Sequence, residues 1–145
     1  MKAKKGFTLI ELTVALAIIL AVTGGVLMRF RQNEHRVLNN ASRTLQADLR
    51  YVQRRAMIEG RRYGVVLERY RYRVVSLTGG TRTIRIVNFP DGVWLRSTTH
   101  TQLEYLPRGT ITSGSTIWLT TGTYSQRLTS IPSSGRIRIY DIINT

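Results

Sequence analysis

Lys4-Lys5-Gly6-Phe7-Thr8-Leu9-Ile10-Glu11-Leu12 stands near the start of this 145-residue chain, and its apolar part runs on to Met28. Three lysines, Lys2, Lys4 and Lys5, come first, and the 22 residues from Phe7 to Met28 carry one charge, Glu11. At about 1.5 Å per residue, a helix of that length is about 33 Å long, enough to cross a bilayer core of about 30 Å. The lysines lie just before the run, so the positive-inside rule puts the N-terminus in the cytoplasm. Glu11 is the anomaly. An acid near the centre of such a span costs roughly 2.5 kcal/mol or more, although in the first helical turn the macrodipole favours it. A cut between Gly6 and Phe7 would create an α-amino group about 6 Å along the helix from Glu11. That amine is a natural counter-ion, in the same chain or in a neighbour. An ordinary signal peptide is cut after its apolar region at a small-x-small site. Ala15-Leu16-Ala17 has that form but lies mid-run.

Helical periodicity continues beyond the apolar run, past a flexible or kinked point expected at Gly24-Gly25. Val37, Ala41, Leu45, Leu49, Val52 and Ala56 recur at spacings of three or four, one stripe to pack on a core. Arg36, Arg43, Arg50, Arg54 and Arg55 form a solvated basic face. Gly60 is the C-cap candidate, with Arg54 and Arg55 placed near the last turn. The expected helix therefore runs from about Phe7 to Glu59.

After Gly60 the period becomes two. Strands are expected over Tyr63 to Glu68, Arg69 to Leu77 and Arg82 to Phe89, with Gly79-Gly80 turning a hairpin and Pro90-Asp91-Gly92 a further turn. Shorter strands are expected at Gln102 to Leu106, Ile117 to Thr121, Arg127 to Ile131 and Arg136 to Tyr140. One helix and about seven short strands imply an α+β fold: a long N-terminal helix, membrane-spanning in its first half, packed against antiparallel β-sheets of a C-terminal globular domain. The divisions are residues 1–6 (leader), 7–28 (membrane half of the helix), 29–59 (amphipathic half) and 60–145 (β domain).

With no cysteine, disulfides, thiolate metal sites and a Cys nucleophile are excluded. His35 and His100 are far apart and read as surface residues. The acids form no close pairs, and no phosphate-binding loop or metal cluster is evident, so no enzyme, catalytic residue, metal or cofactor is expected. The charge is +14, from 22 basic and 8 acidic residues. Every lysine precedes Phe7, so a chain beginning there holds 19 arginines and a charge of +11. Such an excess favours polyanions, and arginine suits bidentate phosphate contacts.

Gly6-Phe7-Thr8-Leu9-Ile10-Glu11 followed by an apolar run resembles the class III signal of type IV pilins and pseudopilins. The resemblance implies removal of residues 1–6 by a prepilin peptidase, methylation of Phe7, and pairing of Glu11 with a neighbour's N-terminus in a filament. A second resemblance covers later residues: Ala41-Ser42, Leu45, Asp48-Leu49-Arg50, Arg54-Arg55-Ala56 and Gly60, then Tyr105-Leu106-Pro107-Arg108-Gly109 and Ser134-Gly135-Arg136-Ile137-Arg138. These resemble the GspH/FimT group of minor pseudopilins, whose fold is a long helix carrying two antiparallel sheets. Residues 69–101 carry no such resemblance. The group implies other pilins or pseudopilins as partners, insertion in the bacterial inner membrane, and a periplasmic or extracellular filament after assembly. In its FimT branch a Gly-Arg-x-Arg motif is associated with DNA binding in natural transformation. The matching residues here are Gly135, Arg136 and Arg138, with double-stranded DNA as the implied partner.

The residues supply a physical reason. Gly135 follows Pro132-Ser133-Ser134, and glycine allows close approach to a phosphate. Arg136, Arg138 and Tyr140 are expected on one strand face, with Ile137 and Ile139 on the core face. Two guanidinium groups about 7 Å apart roughly match successive phosphates of one strand. Spacing alone favours a merely solvated face; the resemblance turns the reading toward DNA. Arg61, Arg62, Arg69, Arg71, Arg73, Arg82 and Arg85 could extend the surface, while Trp94 and Trp118 read as buried aromatics. Two other roles stay open: a structural subunit of a type II secretion system without DNA binding, and adhesion to anionic glycans or membranes.

Overall fold

The computed structural model describes residues 9–145, the side chains of residues 23–32 excepted. The leader, Gly6 and Phe7 lie outside the described residues. Helix α1 spans Leu9–Glu59. The chain divides into two compact units, residues 1–33 and 34–145. In the first unit the side chains of residues 9–22 are exposed, and Glu11 stands in the first turn of α1. Among the described residues no helix is long and apolar enough to cross a membrane; the expected span, 7–28, includes residues outside that description.

In the second unit, the remainder of α1 is followed by eight strands: β1 (Tyr63–Leu67), β2 (Arg71–Ser76), β3 (Arg82–Asn88), β4 (Trp94–Thr98), β5 (Gln102–Tyr105), β6 (Thr116–Thr120), β7 (Tyr124–Ser130) and β8 (Ile137–Asn144). They form two four-stranded sheets, in the orders β3-β2-β1-β5 and β4-β6-β7-β8. Every pairing is antiparallel. This is the α+β arrangement of a helix on two antiparallel sheets.

The helix stripe is the floor of the core. Leu38, Ala41, Leu45, Leu49, Val52 and Ala56 are buried, and Val37 packs beside them. Val65, Tyr72, Val74, Leu103 and Tyr105 meet them from the first sheet, and Ile117, Leu119, Leu128 and Ile137 from the second. Each fully buried aliphatic side chain contributes about 1.5–3 kcal/mol from apolar surface removed from water. Gly60 ends α1 in the left-handed region (φ 62°), with Arg61 N–H donating to the Ala56 carbonyl (3.2 Å). The last turn carries no basic residue; Arg55 instead pairs with Glu59 at 2.6 Å.

Several expected strands are corrected. β4 has no counterpart among them, because a bulge between Leu95 and Ser97 breaks the alternation that marks a strand. The strand expected from Arg69 begins at Arg71, since residues 69–70 form a bend and Tyr70 is exposed. The strand expected from Arg127 begins at Tyr124. The last strand begins at Ile137 rather than Arg136 and runs to Asn144, through a bulge opposite Arg127.

Candidate functional site

The C-terminal segment is held against α1 by two glutamines. Gln46 Nε2 donates to the Ile137 carbonyl (2.9 Å). Gln53 Nε2 donates to two carbonyls, those of Gly109 (2.7 Å) and Ser134 (2.9 Å). Seven residues apart, the two stand on one side of the helix about two turns apart. Neither was singled out by sequence reasoning. Their signal was a repeated amide flanking the apolar stripe at Leu45, Leu49 and Val52.

The turn that Gln53 holds is closed internally. Gly135 N–H donates to the Ile131 carbonyl and Ile131 N–H to the Arg136 carbonyl, both at 2.9 Å. Gly135 adopts φ 63° and is buried. A β-carbon there would collide with the Gly109 carbonyl and the Gln53 amide. The glycine is thus required by packing of one loop on another.

Beyond this turn Ile137 is buried, Ile139 packs on the core, and Arg136, Arg138 and Tyr140 are exposed. Arg136 precedes β8, so regular strand spacing does not govern the distance between the two arginines. A groove of about 530 Å³ runs between α1 and this segment, lined by Arg50, Gln53, Arg54 and Met57 on one side and Ser134, Arg136, Ile137 and Arg138 on the other. Four lining residues are arginines and none is acidic. Arg50 and Arg54, which the sequence placed only on a generic basic face, therefore join Arg136 and Arg138. None of the four takes part in an ion pair among the described residues. Such a groove can hold an anion through several charge-assisted hydrogen bonds.

Other basic residues are engaged elsewhere. Arg71 and Arg73 both bind Glu68, at 2.5 and 2.6 Å. Those hydrogen bonds, Arg71 first, hold the Glu68 carboxyl below the usual carboxylate range. Arg62 pairs with Glu104 and Arg85 with Asp48. His35 stands edge-on to Tyr124, and the His100 N–H donates to Ser115 Oγ. Trp94 and Trp118, expected to be buried, are both partly exposed, and neither is among the buried core residues.

Comparison with known proteins bears on this arrangement. Residues 41–135 match the family described as type II transport protein GspH, and residues 1–27 match the prokaryotic N-terminal methylation motif. Arg136 and Arg138 lie just past the first of these matches. The fold is similar to that of the minor pseudopilin EpsH from the type 2 secretion system of Vibrio cholerae: TM-score 0.62 and 17% identity over 71% of this chain and 95% of that one. It is also similar to the type IV minor pilin FimU of Pseudomonas aeruginosa: TM-score 0.60 and 17% identity over 72% of this chain and 93% of that one. No curated protein matches the chain in sequence.

Proposed function

The chain belongs to the GspH family of minor pseudopilins, and from that premise we propose that it is a filament subunit that holds extracellular double-stranded DNA by its phosphates. The carrying observation is the groove in which Arg50 and Arg54 of α1 face Arg136 and Arg138 with no acid in the lining. Its contacts would neutralise phosphates and release counterions, which fixes DNA in place and reads no sequence. Retraction of the filament would then draw the DNA inward for uptake in natural transformation.

The same proposal covers the N-terminus. Prepilin peptidase cuts between Gly6 and Phe7, Phe7 is methylated, and Glu11 pairs with the N-terminus of a neighbouring pilin during assembly. Before assembly the apolar half of the helix, residues 7–28, crosses the inner membrane once with its N-terminus in the cytoplasm. The matched methylation motif supports this. A mature chain whose mass does not begin at a methylated Phe7 would refute it.

The DNA reading is tested by titrating duplexes of unrelated sequence over a series of salt concentrations. Log affinity is expected to fall linearly with log salt, and Arg136→Ala/Arg138→Ala is expected to remove about two units of that slope. Equal binding by both proteins would sink the site. The match to a type II transport family favours one other reading, a structural secretion pseudopilin; absence of duplex binding at physiological salt would select it.

A further inference from the structure

The second sheet has one face on the core and one in solvent. Ile117, Leu119, Leu128 and Ile137 face the core, with Leu95, Ile139 and Ile142 packed against it. Side chains alternate across a strand, so Trp94, Trp118, Arg127, Arg138 and Tyr140 belong to the opposite face. Trp118 and Arg127 are directly paired between β6 and β7. The Arg127 guanidinium carbon lies 5.8 Å from the centre of the Trp118 ring and 4.0 Å from that of Tyr140. The three side chains thus form a ladder across β6, β7 and β8. Tyr140 keeps 40% of its surface exposed, and Arg96 and Arg138 are exposed on the flanking strands. None of the three arginines has an acidic partner among the described residues.

We propose that this outer face is a stacking platform for the unpaired bases of single-stranded DNA. Aromatic rings on a sheet face, interleaved with arginines, offer a base what it seeks once unpaired: a flat π surface, with positive charge for the adjoining phosphates. A duplex hides its base faces, so it gains nothing from the rings. Cation–π contact with Arg127 holds the two rings in place. The proposal deepens the DNA reading above and rests on it through Arg138, which lines the groove and also stands on this face. The groove takes the duplex backbone, and the sheet takes a frayed or single-stranded end.

The test uses the full chain in neutral detergent micelles, with an oligothymidylate of about 20 nucleotides, longer than the ~4–16 nucleotides such sites cover, and a blunt duplex of equal length. Trp118→Ala and Tyr140→Ala are each expected to weaken oligothymidylate binding about tenfold and to leave duplex binding unchanged. Tyr140→Phe should bind like the wild type, because it keeps the ring. Tyr140 is exposed, so its variants carry the test if Trp118→Ala does not fold. The proposal is overturned if Tyr140→Ala binds oligothymidylate like the wild type, or loses duplex and oligothymidylate binding alike. It is also overturned if a heparin fragment displaces the oligothymidylate with the same dependence on Tyr140, which would make the face a glycan site. If duplex binding ignores Arg136 and Arg138 while oligothymidylate binding still needs the rings, the groove reading falls and the platform stands.

Discussion

Gly135 packs so closely on the carbonyl of Gly109 that the contact leaves no room for a β-carbon at position 135. Its φ of 63° adds a second demand, since a left-handed conformation costs a residue with a side chain about 1–2 kcal/mol. Gly135→Ala is therefore expected to destabilise the domain by about 3 kcal/mol, strain and displaced loop together. Chemical denaturation measures this. A loss under about 1 kcal/mol, the strain alone, would mean that the two loops separate freely and do not hold each other.

Gln53 is the bolt through that contact. One amide nitrogen serves the carbonyls of Gly109 and Ser134. At about 1 kcal/mol for each hydrogen bond, Gln53→Ala should cost about 2 kcal/mol of stability. Duplex affinity should fall as well, although all four groove arginines remain, because Arg136 and Arg138 follow the turn that Gln53 holds. An unchanged affinity in the salt titration would show that the arginines reach DNA whatever the turn does.

What was legible in the sequence follows from which forces are local. The stripe from Val37 to Ala56 is a period-3.6 signal, and all six of its buried or core-packed members are where that period puts them. The β2–β3 hairpin was legible because Gly79 and Gly80 both need positive φ. β4 was not, since its bulge at Arg96 is set by pairing with β6. The partly exposed tryptophans were misread for a related reason: an apolar ring in an alternating strand can face either side, and only the sheet's partners decide. Most of the groove was out of reach. Arg50 and Arg136 are 86 positions apart, and their meeting depends on Gln46 and Gln53, whose partners are distant backbone carbonyls.

Glu68 predicts an acid limb. Its carboxyl is held below its ordinary value by Arg71 and then Arg73. A lowered folded value means the contribution is present above the unfolded pKa of about 4.3 and is lost as pH falls through the folded value. Melting temperature should therefore drop on acidification below about pH 4.3, and Glu68→Gln should remove part of that drop. The pair is solvent-screened, so the effect is small. The same geometry makes Arg71 and Arg73 poor DNA ligands. Arg71→Ala/Arg73→Ala should leave the duplex salt slope nearly intact, and a loss of about two units would mean that DNA competes successfully with Glu68.

Tyr72 and Tyr105 are both buried in the first sheet, yet their hydroxyls are provided for differently. Tyr72 donates to Asp48 Oδ2 at 2.5 Å. The Tyr105 hydroxyl has no hydrogen-bond partner among the described residues, and burial pushes its pKa above the usual phenol value. Burying an unpaired hydroxyl costs about 1–3 kcal/mol. Tyr105→Phe removes only that oxygen, so it is expected to stabilise the domain by about 1 kcal/mol. Tyr72→Phe leaves a largely buried carboxylate short of a donor and should destabilise by about 2 kcal/mol. Opposite signs for one chemical change at two sites would separate hydrogen bonding from packing, because the ring stays in both variants. If thermal unfolding shows both substitutions destabilising equally, the Tyr105 hydroxyl has a partner, such as a buried water, and the prediction fails.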